Sequence, residues 1–109
     1  MLWPQERRRY RRSVVRWPAT VLTPQTQIDG RVENISPVGA FISFGESRPL
    51  EGDFRMVINP PDHQTINVVA KVIWSTVIAA AEGSPGFGVG VEFIRISEAD
   101  REFLAKDLE

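Results

Sequence analysis

The chain has 109 residues, enough for one domain, and by size scaling such a domain buries roughly 60% of its unfolded surface, which allows one modest core. Apolar residues at 42% and charged residues at 25% are ordinary for a soluble globular protein. Cysteine is absent, which excludes disulfides, a thiol nucleophile and Cys-based metal centres. No apolar run approaches the ~18 residues of a membrane span, and no apolar stretch follows the N-terminal arginines, so the chain reads as a cytoplasmic protein without a signal peptide.

The formal net charge of −1 conceals an asymmetry. Six of the 13 basic residues, Arg7, Arg8, Arg9, Arg11, Arg12 and Arg16, lie in the first 16 positions, where Glu6 is the only acid. The other 93 residues carry seven basic and 13 acidic side chains. A basic arm over 1–12 therefore precedes an acidic body over 13–109. Such an arm binds an anion, docks on the body or stays solvated.

The body reads as a series of short strands divided by turn residues. Val15, Trp17, Ala19 and Val21 alternate with Arg16, Pro18, Thr20 and Leu22, and Pro18 implies an edge or a bulge. A second strand runs from Ile28 to Ser36 and ends in the turn signal Asn34-Ile35-Ser36-Pro37-Val38-Gly39. Ala40 to Phe44 is a short apolar strand, and Gly45 to Gly52 a polar loop. Phe54, Met56 and Ile58 mark a fourth strand, broken by Asn59-Pro60-Pro61-Asp62.

Ile66, Val68, Ala70, Val72 and Trp74 share one face of a longer strand. After a turn over Gly83 to Gly86, Phe87, Val89, Val91 and Phe93 alternate with Gly88, Gly90 and Glu92; the two glycines suggest close approach of another element or a ligand. Ser97 is a fitting N-cap for a final helix, with Glu98 and Asp100 in its first turn. Ala99, Phe103, Leu104 and Leu108 give that helix its apolar face. Six strands and one C-terminal helix predict an all-β fold, an antiparallel barrel with the helix across an end or a side.

Three groups of residues carry candidate chemistry. The arm's five basic residues from 7 to 12 are all arginines. Arginine pairs bidentately with phosphate oxygens and with guanine O6 and N7, and stacks on base faces. Long-range attraction alone would not require that choice, although a solvated arm or an unspecific nucleic-acid patch has the same composition. Asn34, Ser36 and Gly39 compose either a plain turn or a clamp for a base edge. In the clamp, amide and hydroxyl bond the edge and a missing Cβ admits a flat ring. Trp74 is either a core residue in phase with its strand or a stacking surface for a purine.

Enzymatic readings are poorly supported. His63, the only histidine, sits in a Pro-Pro-Asp-His loop and reads as a solvated turn residue. No catalytic residue is assigned, since no second His or Cys exists for a triad or a metal site. The glycines at 86, 88 and 90 lie in a strand and do not form a phosphate loop.

Arm and turn together resemble the PilZ domain family, bacterial receptors for cyclic di-GMP. The family pairs an RxxxR segment with a downstream (D/N)xSxxG, here Arg8-Arg9-Tyr10-Arg11-Arg12 and Asn34-Ile35-Ser36-Pro37-Val38-Gly39. The resemblance continues through Gly39-Ala40-Phe41-Ile42-Ser43, Val72-Ile73-Trp74 and Gly88-Val89-Gly90-Val91-Glu92-Phe93. It covers almost the whole chain.

That resemblance implies a six-stranded antiparallel Greek-key barrel with a C-terminal helix, preceded by a flexible ligand-binding arm. It implies that Arg8 and Arg12 bind guanine and phosphate, and that Asn34, Ser36 and Gly39 line a guanine pocket. Arg7 stands where a basic residue in the family goes with an intercalated ligand dimer, which implies two ligand molecules per protein. Trp74 takes a position that can stack on the outer base, and Arg9 and Arg11 are additional candidates. Asn34 replaces the Asp of many members; its amide keeps an acceptor for guanine N1–H or N2–H and loses the charge.

The implied protein is a non-enzymatic signal receptor with no metal or cofactor. Its arm folds over the ligand and presents a new surface to a downstream protein. One rival is a nucleic-acid binder using the basic arm, which the acidic body disfavours. Another is an adaptor whose arm holds an acidic protein without using Asn34, Ser36 or Gly39.

Overall fold

A computed structural model describes residues 12–45, 50, 52–78 and 86–106. The arm residues Arg7, Arg8, Arg9 and Arg11, the turn positions 83–85 and Leu108 lie outside the described residues. Six strands follow in chain order: β1 (Ser13–Leu22), β2 (Gln27–Ser36), β3 (Gly39–Phe44), β4 (Asp53–Ile58), β5 (Ile66–Ile78) and β6 (Gly86–Ile96). Among the described residues there is one helix, α1 (Glu98–Lys106), which follows β6. The strands form a closed antiparallel barrel in the order β1-β2-β3-β6-β5-β4. The barrel is Greek-key because the chain passes from β3 to β4 without pairing the two.

Alternation puts one face of each strand inside. Val21, Val32, Ile35, Ile42, Ile58 and Ile66 are completely inaccessible and form the centre of the core. Closure depends on the ladder that brings Ala19–Leu22 of β1 against Ile58–Arg55 of β4. Pro18 sits where that ladder begins. Its carbonyl accepts from the Asn59 N–H at 2.9 Å, so its missing N–H faces the side where β4 has already ended.

The helix differs from its predicted face. Ser97 is the N-cap, its Oγ accepting from the Asp100 N–H at 3.0 Å. Asp100 and Leu104 are buried, whereas Ala99 is exposed. His63, expected in solvent, instead stacks flat on Phe103, with ring centroids 3.6 Å apart and planes at 4°. Its Nε2 lies 3.7 Å from the buried Asp100 Oδ1, too long for a hydrogen bond and close enough for electrostatic contact. Phe103 in turn stacks on Trp17 at 6.3 Å. The β4–β5 loop, α1 and β1 are thus joined through three rings.

Candidate functional site

The turn between β2 and β3 is a two-residue hairpin of Pro37 and Val38, with Ser36 paired to Gly39. Neither central residue has positive φ. A two-residue hairpin without positive φ does not match the strand twist and needs support. Ser36 Oγ supplies part of it, accepting from the Val38 N–H at 3.2 Å. The Val38 carbonyl accepts from Phe93 N–H of β6 at 2.8 Å. Gly39 is fixed by the same neighbour: a Cβ there would stand 2.4 Å from the Val91 carbonyl oxygen. Ser36 is buried, so its hydroxyl shapes the turn from within.

Asn34 points outward because of a β-bulge. Two residues earlier, Val32 is buried and faces Ile42. Strict alternation would send Asn34 inward too. The ladder instead shifts between Val32 and Asn34, leaving Glu33 unpaired and setting Asn34 opposite Phe41. The Glu33 carboxylate then accepts from Ser43 Oγ at 2.6 Å. The side chain turned out in this way meets the end of the basic arm. Arg12 donates from Nε to Asn34 Oδ1 at 3.1 Å, and Nη2 donates to the same oxygen. With two guanidinium donors facing it, the amide must present oxygen to Arg12. Both guanidinium donors thus meet Oδ1, and Nδ2 is the amide atom left on the other side.

A second bulge turns Trp74 outward. Val72 faces the buried Val91, but the ladder shifts before Trp74, which faces Gly90. Trp74 therefore leaves the face it shares in sequence with Ile66, Val68, Ala70 and Val72 and stays outside the core cluster. It stacks on Phe41, with centroids 5.2 Å apart and planes at 16°. Cross-strand pairs align Val14, Asn34, Phe41, Gly90 and Trp74 in one row over β1, β2, β3, β6 and β5. Val14, at one end of the row, is 87% exposed.

Phe41 is the residue that sequence reasoning missed; its signal was an outward aromatic on β3 facing the small residues Gly88 and Gly90. The site is thus an outer barrel wall carrying a guanidinium, an amide, a tight turn and two aromatic rings. A concavity of about 260 Å³ lies elsewhere, over Arg55, Val69 and Arg95. Among the described residues, no three His, Cys, Asp or Glu side chains form a metal-holding group, and no helix is long and apolar enough to cross a membrane.

The PilZ domain of Escherichia coli YcgR with c-di-GMP superposes with a TM-score of 0.73 at 16% identity, covering 94% of this chain and 88% of that one. The Bacillus subtilis inhibitor of motility, MotI/DgrA, gives 0.72 at 19% identity, over 92% of this chain and 48% of that one. YcgR from Escherichia coli in complex with c-di-GMP gives 0.69 at 19%, over 90% and 42%. The chain thus spans about half the length of MotI/DgrA and less of YcgR. At such identities the likeness establishes the fold. No curated protein matches the sequence. The family model for the PilZ domain matches residues 6–108, nearly the full length, and the chain belongs to that family.

Proposed function

We propose that the chain is a non-enzymatic receptor for cyclic di-GMP, a ring of two guanosines joined through two phosphates. The observation that carries this reading is the meeting of Arg12 with Asn34, 22 positions apart. It joins the basic arm to the Asn-x-Ser-x-x-Gly turn, the two segments whose pairing marks the family. The c-di-GMP held by the PilZ domain of YcgR is further support.

In this reading, residues 1–12 are the ligand-binding arm and 13–109 the barrel. Arg8 and Arg12 bond guanine and phosphate, with Arg9 and Arg11 as additional contacts. Arg7 holds a second, intercalated ligand molecule. Asn34 meets the guanine edge through its amide. Ser36 and Gly39 contribute through the turn they shape, and Trp74 through the aromatic wall. Ligand binding draws the arm onto the barrel, and the covered surface is what a downstream protein recognises in the cytoplasm. No bond is made or broken, and no metal or cofactor takes part.

Salt dependence tests the ligand class. Fluorescently labelled cyclic di-GMP should bind with a shallow slope of log K against log salt, because few phosphates are contacted. Tighter binding of a single-stranded oligonucleotide, with a steep slope, would favour the nucleic-acid binder instead.

A further inference from the structure

We propose that Phe41 supplies the aromatic surface on which a guanine base stacks, with Trp74 as its backing. This rests on the cyclic di-GMP reading above and adds a ligand contact to it. Position in the row carries the inference. Phe41 is the direct cross-strand neighbour of Asn34, whereas Trp74 lies beyond Phe41 and Gly90. Side chains directly opposite have Cβ atoms roughly 5 Å apart. Three strand spacings separate Asn34 from Trp74, roughly 14 Å. A base whose edge is held by the Asn34 amide reaches Phe41 first.

The phenyl ring is also held in place. It crosses β6 above Gly88, where a Cβ would stand 2.3 Å from Cζ and 2.8 Å from Cε1. From there it covers one face of the indole. Trp74 Nε1 is buried with no hydrogen-bond partner among the described residues, so ring stacking rather than a hydrogen bond sets the indole's orientation. A base laid on Phe41 extends an existing two-ring stack. Such stacking accepts any purine face, which leaves guanine selection to the edge contacts of Asn34 and Arg12.

The test is calorimetric titration of the full chain with cyclic di-GMP. Phe41→Leu, which keeps apolar volume and removes the ring, should weaken binding about 5- to 150-fold, the range for losing one base–aromatic stack. Phe41→Tyr should restore it, and Trp74→Phe, which keeps an aromatic backing, should cost less than Phe41→Leu. If Phe41→Leu does not fold, NMR of the unmodified protein decides: guanine H8 should show NOEs to the Phe41 ring. Wild-type affinity in Phe41→Leu, a larger loss in Trp74→Phe, or NOEs to Trp74 alone would overturn the assignment of Phe41. Absence of heat with the unmodified protein would instead overturn the cyclic di-GMP reading.

Discussion

Two N–H groups of Arg12 converge on the single amide oxygen of Asn34, so the last residue of the basic arm is already seated on the barrel wall. Replacing that oxygen by a carboxylate would strengthen the contact through charge and supply a second oxygen as acceptor for guanine N1–H or N2–H. Asn34→Asp should therefore tighten cyclic di-GMP binding by about 1 kcal/mol, roughly fivefold. Calorimetric affinities of the two proteins check this; unchanged or weaker binding would contradict an acceptor role for residue 34.

The proposed ligand number rests on Arg7. In the proposed site it would add, beside Arg8, a guanidinium for the phosphates and base faces of a stacked pair of ligands. Arg7→Leu should lower the calorimetric stoichiometry from two to one without abolishing binding. A stoichiometry unaffected by the substitution would remove Arg7 from the site.

Gly39→Ala tests the turn. The new methyl would lie 2.4 Å from the Val91 carbonyl oxygen, which belongs to the β6 backbone and cannot rotate away. Overpacking of this kind costs roughly 1–3 kcal/mol. For a domain of this size the melting temperature should fall by about 4–8 °C for each kcal/mol. An unchanged melt would mean that β6 can retreat.

His63→Ala tests the ring contact between the β4–β5 loop and α1. It removes the face-to-face contact with Phe103 and the near neighbour of the buried Asp100. The loss should be about 1 kcal/mol, the scale of an aromatic pair, seen as a lower melting temperature. His63→Phe should restore part of it by keeping the stack.

The strand series, the capped helix and the barrel were legible because alternation and turn residues report burial directly. Trp17, Ala19 and Val21 face inward as their spacing implies. The outward aim of the site was not legible from spacing. Asn34 follows the buried Val32 by two positions, and Trp74 follows Val72 by two, so period-two counting sends both inward. Each owes its position to one unpaired residue, Glu33 or Ile73, and sequence carries no local sign of where a ladder slips.

Phe41 was hidden for a related reason: its partners Gly88, Gly90 and Trp74 are supplied by strands distant in sequence. His63 and Asp100 misled because a polar residue in a loop or a first helical turn is ordinarily solvated, and ring stacking between a loop and a helix leaves no periodic trace. Asn34 and Arg12 were candidates by their chemistry and were paired through the family resemblance; their contact links the two motifs physically.

Titration calorimetry with cyclic di-GMP, run on the unmodified protein and on Arg12→Ala, addresses the ligand site most directly. The unmodified protein should give a saturable heat with two ligands bound, and Arg12→Ala none, with its melting curve unchanged. Equal affinity in both proteins, or no heat from the unmodified one, would contradict a nucleotide site built from the arm and the Asn34–Gly39 turn.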